Sequence, residues 1–468
     1  MSRNGQLVKN TSFFFIGNLG SKAISFLMIP LYTIWLSPSE YGVTDLLQTY
    51  NQILILFLGL GITESLIVFP INKPENEIKK QFSTALLFLL GFHLLFAIGY
   101  YLLSLFNLKG AYFEYLWFAL GYLLTNSLLR LFQNFCCGIN KMSVFSFTGI
   151  LSAVGLALLS FLLIPHYGVV GFLSAGILSS LITLFFIIIY SKAYKYFSFN
   201  GFSRKCLIEQ LKYSIPLIPN SLMWWLILGM NRPLMEKYVG IAVIGLFAIA
   251  SKIPSLMDML YNLFQQAWLV TATKEIDNDD FSSYYSRLMD FIISIQSFVC
   301  MALMFLSDWI IHTFCDARYA EASVFVPILC LGIIFSNLST FSGTVFSASK
   351  KTKYLFYSIL IAAIVSIVLN FTLIPVIGVW GAIASILASH MIACISRLYY
   401  SEQFVELINK KSLFLTLLLS CAFCSTCYIS TPSIRYISQI VVFSIFCLMK
   451  FYIPKEIIKR IKAKYIKH

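Results

Sequence analysis

The residues of this chain best placed to do chemistry are a few charges set inside long apolar runs. Lys22 stands in "NTSFFFIGNLGSKAISFLMIP", with Asn18 four residues before it on the same helical face. Arg130 and Asn134 repeat that i,i+4 spacing, and Arg232 sits between Asn231 and Pro233. Lys252 shares a run with Pro254, Asp258 and Gln265, while Asp45 and Glu64 share another. A charge in apolar surroundings is expensive and faces a bundle interior or an aqueous cavity, so each is a candidate for holding an ionic substrate or a coupling ion. Lys22, Lys252, Arg130, Asn18 and Arg232 are the substrate-binding candidates. Asp45, Glu64 and Asp258 are the ion-coupling candidates, with H+ or Na+ as the coupling ion. Each has a competing structural reading. Lys22 can bond to Glu64 across adjacent helices, Arg130 can reach lipid phosphate, and Arg232 fits an outer gate or a headgroup anchor equally well.

Covalent chemistry finds no support. The chain has no G-x-x-x-x-G-K-S/T loop, no dinucleotide fingerprint and no acyl-transfer nucleophile motif. None of its five His residues pairs at ligand spacing, and its eleven Cys, most of them in apolar runs, read as small hydrophobes rather than a disulfide framework or a metal site. The acidic stretch "TKEIDNDD", Thr273 to Asp280, reads as a solvated loop. No cofactor or metal is expected.

The elements that position these charges follow from composition. Hydrophobic residues make up 59% of 468 and charged residues 12%, against about a quarter charged in soluble proteins. The expected fold class is an all-α polytopic membrane protein with about 14 transmembrane helices. The spans run at 11–36, 42–69, 83–106, 115–137, 143–164, 168–190, 213–233, 241–269, 288–313, 321–348, 354–374, 377–398, 412–430 and 435–453. The span at 213–233 is interrupted by Pro216, Pro219 and Arg232. The first span is too long and lacks the small-residue cleavage site of a signal peptide, so it reads as a retained anchor.

Orientation follows from Lys and Arg. Of the 34 basic residues, Lys22, Arg130, Arg232 and Lys252 lie in spans, and Lys109, Lys237, Arg318 and Arg435 fall in loops on one side, leaving 26 for the other side. By the positive-inside rule the rich side is cytoplasmic, and an even span count puts both termini there. The net charge of +14 then reflects topology and attraction to anionic lipid, not nucleic acid. The tail "PKEIIKRIKAKYIKH" reads as a basic amphipathic segment on the cytoplasmic surface.

The chain also repeats itself. "IPHYGVVGFLSAGILSS", Ile164 to Ser180, returns 210 residues later as "IPVIGVWGAIASILASH", Ile374 to His390. In each copy the proline ends one span, Gly168 or Gly378 makes the turn, and Gly171 or Gly381 starts the next helix with a small face. Lys141 and Lys351 keep the same offset. A weaker match sets "SPSEYGVTDLLQTY" against "EKYVGIAVIGLFAIA", with Tyr41-Gly42 facing Ile244-Gly245. The implied organisation is a six-helix bundle over 1–190, a cytoplasmic linker at 191–212, a second bundle over 213–398, and two more helices with the basic tail at 399–468. A parallel repeat of this kind suits two bundles rocking about a central site.

Together, the opening "NTSFFFIGNLGSKAISFLMIPLYTIWLSPSEYGVTDLLQTY", Asn10 to Tyr50, and the "IPxxGVxG" hairpins resemble the Wzx-type O-antigen and capsular polysaccharide flippases. These belong to the multidrug/oligosaccharidyl-lipid/polysaccharide (MOP) exporter superfamily. The resemblance implies a MATE-like fold and a transporter, not an enzyme. It implies alternating-access movement of undecaprenyl-diphosphate-linked oligosaccharide from the cytoplasmic to the periplasmic leaflet of the bacterial inner membrane. Membrane lipids, a polysaccharide polymerase and a chain-length regulator are the implied partners. By region, the family's cationic cavity falls on Lys22 and Lys252, with Arg130 secondary. The chain lacks the Arg-Asp pair expected in the first span of a lipid II flippase, which favours a polysaccharide-unit exporter. The alternatives are a flippase for lipid II or a teichoic-acid-type precursor, and an ion-coupled drug antiporter of the same superfamily. The antiporter would need an acidic rather than a basic cavity.

Overall fold

The computed structural model describes residues 20–104 and 110–465, with side chains described over 20–102, 110 and 113–450. Asn18 and the basic tail's side chains lie outside the described residues. The described residues form helices joined by turns and short irregular stretches, with no strand among them. The helices are α1 (20–27), α2 (Ile29–Trp35), α3 (Pro38–Leu58), α4 (Ile62–Val68), α5 (Glu75–Ser104), α6 (Ala111–Glu114), α7 (Leu116–Gly138) and α8 (Met142–Ser191). There follow α9 (Arg204–Ser214), α10 (Ile218–Leu228), α11 (Asn231–Tyr238), α12 (Ile241–Glu275), α13 (Phe281–Phe314), α14 (Val326–Ala348), α15 (Lys353–Ile377), α16 (Val379–Ser401), α17 (Lys410–Thr426) and α18 (Pro432–Tyr465). Over its described residues, each expected span falls on a helix, a helix pair or half of α8. Among the described residues eight helices are by themselves long and apolar enough to cross a bilayer, and nine if the bent pair α3–α4 is one span. The 50-residue α8 is about twice the length a bilayer needs.

Two breaks depart from the expected spans. The second span is not continuous: Leu60 (φ 43°) and Gly61 (φ 68°) adopt left-handed backbone, and α4 leaves α3 at 68°. In the hairpins the helix does not stop at the proline. It runs past Pro165 to Gly168 (φ 52°, ψ −124°), and past Pro375 to Gly378 (φ 61°, ψ −133°). Positive φ at both places is conformational space that glycine enters without steric cost.

The offset of 210 is written in the backbone as well. Asn140 (φ 59°) and Lys350 (φ 60°) end α7 and α14 in the same left-handed turn. Lys141 N–H donates to Cys136 O at 2.8 Å, and Lys351 N–H donates to Phe346 O at 2.8 Å. A Cβ on Gly171 would stand 2.4 Å from Leu163 O, and one on Gly381 2.7 Å from Leu373 O. The glycines let each helix pass close to its predecessor's backbone.

The chain packs as two compact units, one ending at Ala248 and the other beginning at Ile249. Packing therefore divides at a different place from the sequence repeat: α9 lies on α4 and α5, and α10 and α11 lie on α3. The expected linker is itself built into the first unit. Ser198 N–H donates to Ser83 Oγ at 3.0 Å, Ser203 N–H to Thr84 Oγ1 at 3.0 Å, and Gln210 Nε2 to Gln81 O at 3.2 Å. The first unit's core gathers Ile62, Leu66, Phe82, Leu131, Phe135 and Ile187 from α4, α5, α7 and α8.

Within the first unit the second repeat match becomes a contact. A Cβ on Gly42 would lie 2.1 Å from Ile241 O, and one on Gly245 would lie 2.0 Å from Pro38 O. Pro38 with Ile241 and Gly42 with Gly245 hold the same offset, so the starts of α3 and α12 cross on a local two-fold axis. Backbone carbonyls cannot yield as flexible side chains can. Gly42→Ala is therefore expected to cost about 1–3 kcal/mol as overpacking, read as a lower thermal midpoint of the detergent-purified protein; an unchanged midpoint would contradict the close crossing.

In the second unit α14 is the most enclosed helix, packed on α13 and α16. Its run "FSNLSTFSGTVFSA" is rich in small polar residues that let neighbours approach while bonding back to their own helix. Thr340 Oγ1 donates to Ser336 O at 2.9 Å and Ser342 Oγ to Leu338 O at 3.0 Å.

Candidate functional site

Of the candidate cations, two are neutralised by carboxylates and two are not. Arg130 on α7 places Nε 3.0 Å and Nη2 2.7 Å from Glu64 Oε1 on α4. One turn on, Asn134 Nδ2 donates to Thr63 O at 3.0 Å. The i,i+4 pair thus grips the first turn of α4, the short helix set off by the break at Leu60–Gly61. The partner of Glu64 is Arg130, so the Lys22–Glu64 bond is not formed.

Arg232 on α11 pairs with Asp45 on α3, Nε to Oδ2 at 3.1 Å. Its Nη1 donates to Asn231 Oδ1 at 3.1 Å and to Leu228 O, and its guanidinium lies 4.9 Å from the Phe247 ring centre. The same seam carries Trp225 Nε1 to Thr49 O at 3.1 Å, and Tyr50 Oη to Glu236 Oε2 at 3.1 Å. Residues 45, 49 and 50 of α3 are thereby tied to α10 and α11.

Lys22 is exposed on α1 and Lys252 is half-buried on α12; neither has an ion pair among the described residues. A lone ammonium within a membrane helix is stable only where it meets water or an anion. Asp258 is half-buried and accepts from Asn262 Nδ2 at 3.0 Å. It stands six residues beyond Lys252, off that residue's helical face.

Two cations of the second unit stand deeper than their places in the sequence imply. Arg397, counted among loop cations, is 5% exposed within α16. Its Nε donates to Ser358 Oγ at 3.0 Å on α15, and its Nη1 to Ser339 O at 3.2 Å on α14. Gly343 makes room for it: a Cβ there would stand 3.2 Å from Nη1. At the places of the first copy matching Gly343 and Ser358 stand Gln133 and Thr148, bonded at 3.3 Å, while Ile187 stands at the place of Arg397, so each copy keeps a polar tie between neighbouring helices by different residues. Lys450, also counted as a loop cation, donates to Asp290 Oδ1 at 2.9 Å and Ser412 Oγ at 2.7 Å. Both charges are nearly buried, with 12% and 7% of their side chains exposed. The local signal available in sequence, Ser358 or Ser412 near an apolar run, gives no hint of such partners from distant spans.

Among the described residues no group of three His, Cys, Asp or Glu is arranged to hold a metal ion. Among the described residues Lys22 and Lys252 thus have no carboxylate partner, and ion pairs stand at Asp45–Arg232 and Glu64–Arg130.

Comparison with known proteins agrees with this architecture. A family model described as polysaccharide biosynthesis protein matches residues 7–270, more than half of the chain, and a MatE model matches 237–372. A capsular polysaccharide biosynthesis protein of Staphylococcus aureus, CapF, is 25% identical over 194 residues, covering 41% of this chain. The match spans 49% of that relative's length. Among solved structures, the lipid II flippase MurJ in an inward-closed conformation aligns over 96% of this chain and 100% of its own. Its TM-score is 0.73 and its identity 16%. An inward-facing multidrug MATE transporter aligns over 82% of this chain and 94% of its own, with a TM-score of 0.64 and 17% identity. At these identities the likeness shows the shared fold. The chain belongs to the polysaccharide biosynthesis protein family and shares its fold with multi-pass membrane transporters.

Proposed function

We propose that this protein flips undecaprenyl-diphosphate-linked oligosaccharide repeat units from the cytoplasmic to the periplasmic leaflet, by alternating access, for O-antigen or capsular polysaccharide. The family match over residues 7–270 carries this reading. The CapF likeness supports a capsular or similar polymer, and the fold shared with MurJ supports a lipid-linked cargo. A diphosphate with a glycan cannot cross hydrocarbon unshielded, and no bond need be broken to move it. Lys22 and Lys252, lacking carboxylate partners among the described residues, are assigned to the diphosphate. Arg130 and Arg232 are assigned to holding α4 and α11, since their charges are already answered by Glu64 and Asp45. Asp45, Glu64 and Asp258 remain the coupling-ion candidates; protonating Asp45 or Glu64 would release an arginine. The positive-inside count supports a bacterial inner-membrane protein with both termini on the cytoplasmic side.

In a strain lacking this protein but keeping its polymerase, lipid-linked repeat units should accumulate on the cytoplasmic face. Normal delivery to the periplasmic face would refute the function. A lipid II or teichoic-acid-type cargo would show instead as arrested wall growth with surface polysaccharide intact.

A further inference from the structure

The close crossing of α3 and α12 forms one side of a half-open cavity of about 420 Å³, wholly within the first unit. Ligand pockets commonly run about 300–1,000 Å³. The local two-fold makes its two flanks unlike. Ser39 and Glu40 of the first copy line one flank; their counterparts in the second copy, Ala242 and Val243, line the other. Val43, Tyr115, Val169 and residues 239–241 complete the wall, Val169 directly following the hairpin glycine Gly168.

Glu40 is held in place. Its Oε2 accepts from both the N–H and the Oγ of Ser37, each at 2.8 Å, in the box that caps α3. Its Oε1 has no hydrogen bond among the described residues, and it lies where a Cβ on Gly168 would be 3.0 Å away. The hydroxyls of Ser39 and Tyr115 have no partner among the described residues either. The cavity therefore offers a fixed acceptor, two hydroxyls and an aromatic ring on one side, with aliphatic side chains on the other.

That combination selects by chemistry. An anionic group would meet the Glu40 carboxylate with no Lys or Arg in the lining, so the diphosphate does not belong here. A metal ion would want several oxygen or nitrogen ligands, and the described residues provide no such cluster. A pyranose ring has an edge of hydroxyls and faces of C–H groups, which fit the polar and the apolar flank respectively. We propose that this cavity is a contact site for a neutral, hydroxyl-bearing sugar ring of the transported saccharide, distinct from the lysines that meet the diphosphate. The inference rests on the function proposed above.

The test uses the full chain carrying Ala242→Cys, an exposed position in the lining. Maleimide labelling is measured in washed membranes, open on both faces, from cells lacking the polymerase so that lipid-linked units accumulate. The reference is the same strain without the transferase that attaches the first sugar. Labelling should slow about fivefold where the saccharide is present, as four-fifths occupancy gives by mass action. A control variant, Lys237→Cys, exposed and outside the lining, should label equally in both membranes, and adding Tyr115→Ala to Ala242→Cys should abolish the protection. Equal labelling rates for Ala242→Cys in the two membranes overturn the site. Protection that survives Tyr115→Ala, or that appears equally in the Lys237→Cys control, assigns the change to backbone movement and overturns it as well. The polymerase-positive parent separates the two proposals: polymer that requires the protein while Ala242→Cys stays unprotected refutes only the cavity, whereas polymer formed without the protein refutes the flippase reading.

Discussion

Lys22→Ala and Lys252→Ala each remove polysaccharide export from a deletion strain complemented by the variant, at unchanged membrane abundance. The two ammonium groups have no carboxylate to satisfy them among the described residues, unlike Arg130 and Arg232. Deleting either leaves no orphaned acid behind, so folding is spared and the loss falls on substrate. A charge-assisted hydrogen bond is worth about 1.5–3 kcal/mol, so each loss lowers transport roughly ten- to hundredfold. Lys→Arg at either place keeps the charge and should retain measurable export. Arg130→Ala and Arg232→Ala should behave in the opposite way, reducing abundance because Glu64 or Asp45 is left unpaired. Export at the wild-type level by K22A or K252A, with abundance confirmed by immunoblot, would strike that residue from the site.

Asp290→Leu, leaving Lys450 in place, destabilises the second unit by about 3–5 kcal/mol, the cost of stranding one member of a buried ion pair. Lys450 on α18, Ser412 on α17 and Asp290 on α13 close a small network. It fixes the two helices beyond the sequence repeat to the bundle. The paired variant Asp290→Leu/Lys450→Met removes both charges together and should recover most of the loss, because neither desolvated charge is left alone. The measurement is the thermal midpoint of purified protein for the two single variants and the double. If the single losses simply add in the double variant, the pair is not what holds α18.

Much of the architecture was legible from residues alone because a bilayer leaves little choice. Apolar runs of about 20 residues must be helices there, and twelve of the fourteen spans lie wholly within the described residues and fall on helices, the first being described from residue 20 and the third to residue 104. Glycine spacing was legible for a related reason. A residue without a Cβ is needed where the backbone turns left-handed or two backbones touch, so Gly168 and Gly378, and Gly42 and Gly245, show in the sequence as matched pairs. The break after α3 was less visible: Leu60 enters left-handed space, and only the flanking Gly59 and Gly61 mark the bend in the sequence.

What the charges do was not legible in the same way. The sequence identified Arg130, Arg232, Asp45 and Glu64 as unusual, because each is costly in an apolar run wherever it points. It could not say that Arg130 meets Glu64, 66 residues away, rather than Lys22 meeting it, nor that Arg232 meets Asp45 across 187 residues. Arg397 and Lys450 looked like loop cations because they stand near span ends, and only packing buried them. By itself, the sequence determined a duplicated helical membrane protein of this family, since hydropathy, glycine placement and positive charge act locally along the chain. The tertiary structure alone decided which charges cancel, which have no carboxylate partner among the described residues, and that a carboxylate and a valine at matching places line one cavity. Electrostatic partnership depends on distances of a few ångströms between residues that the chain keeps far apart.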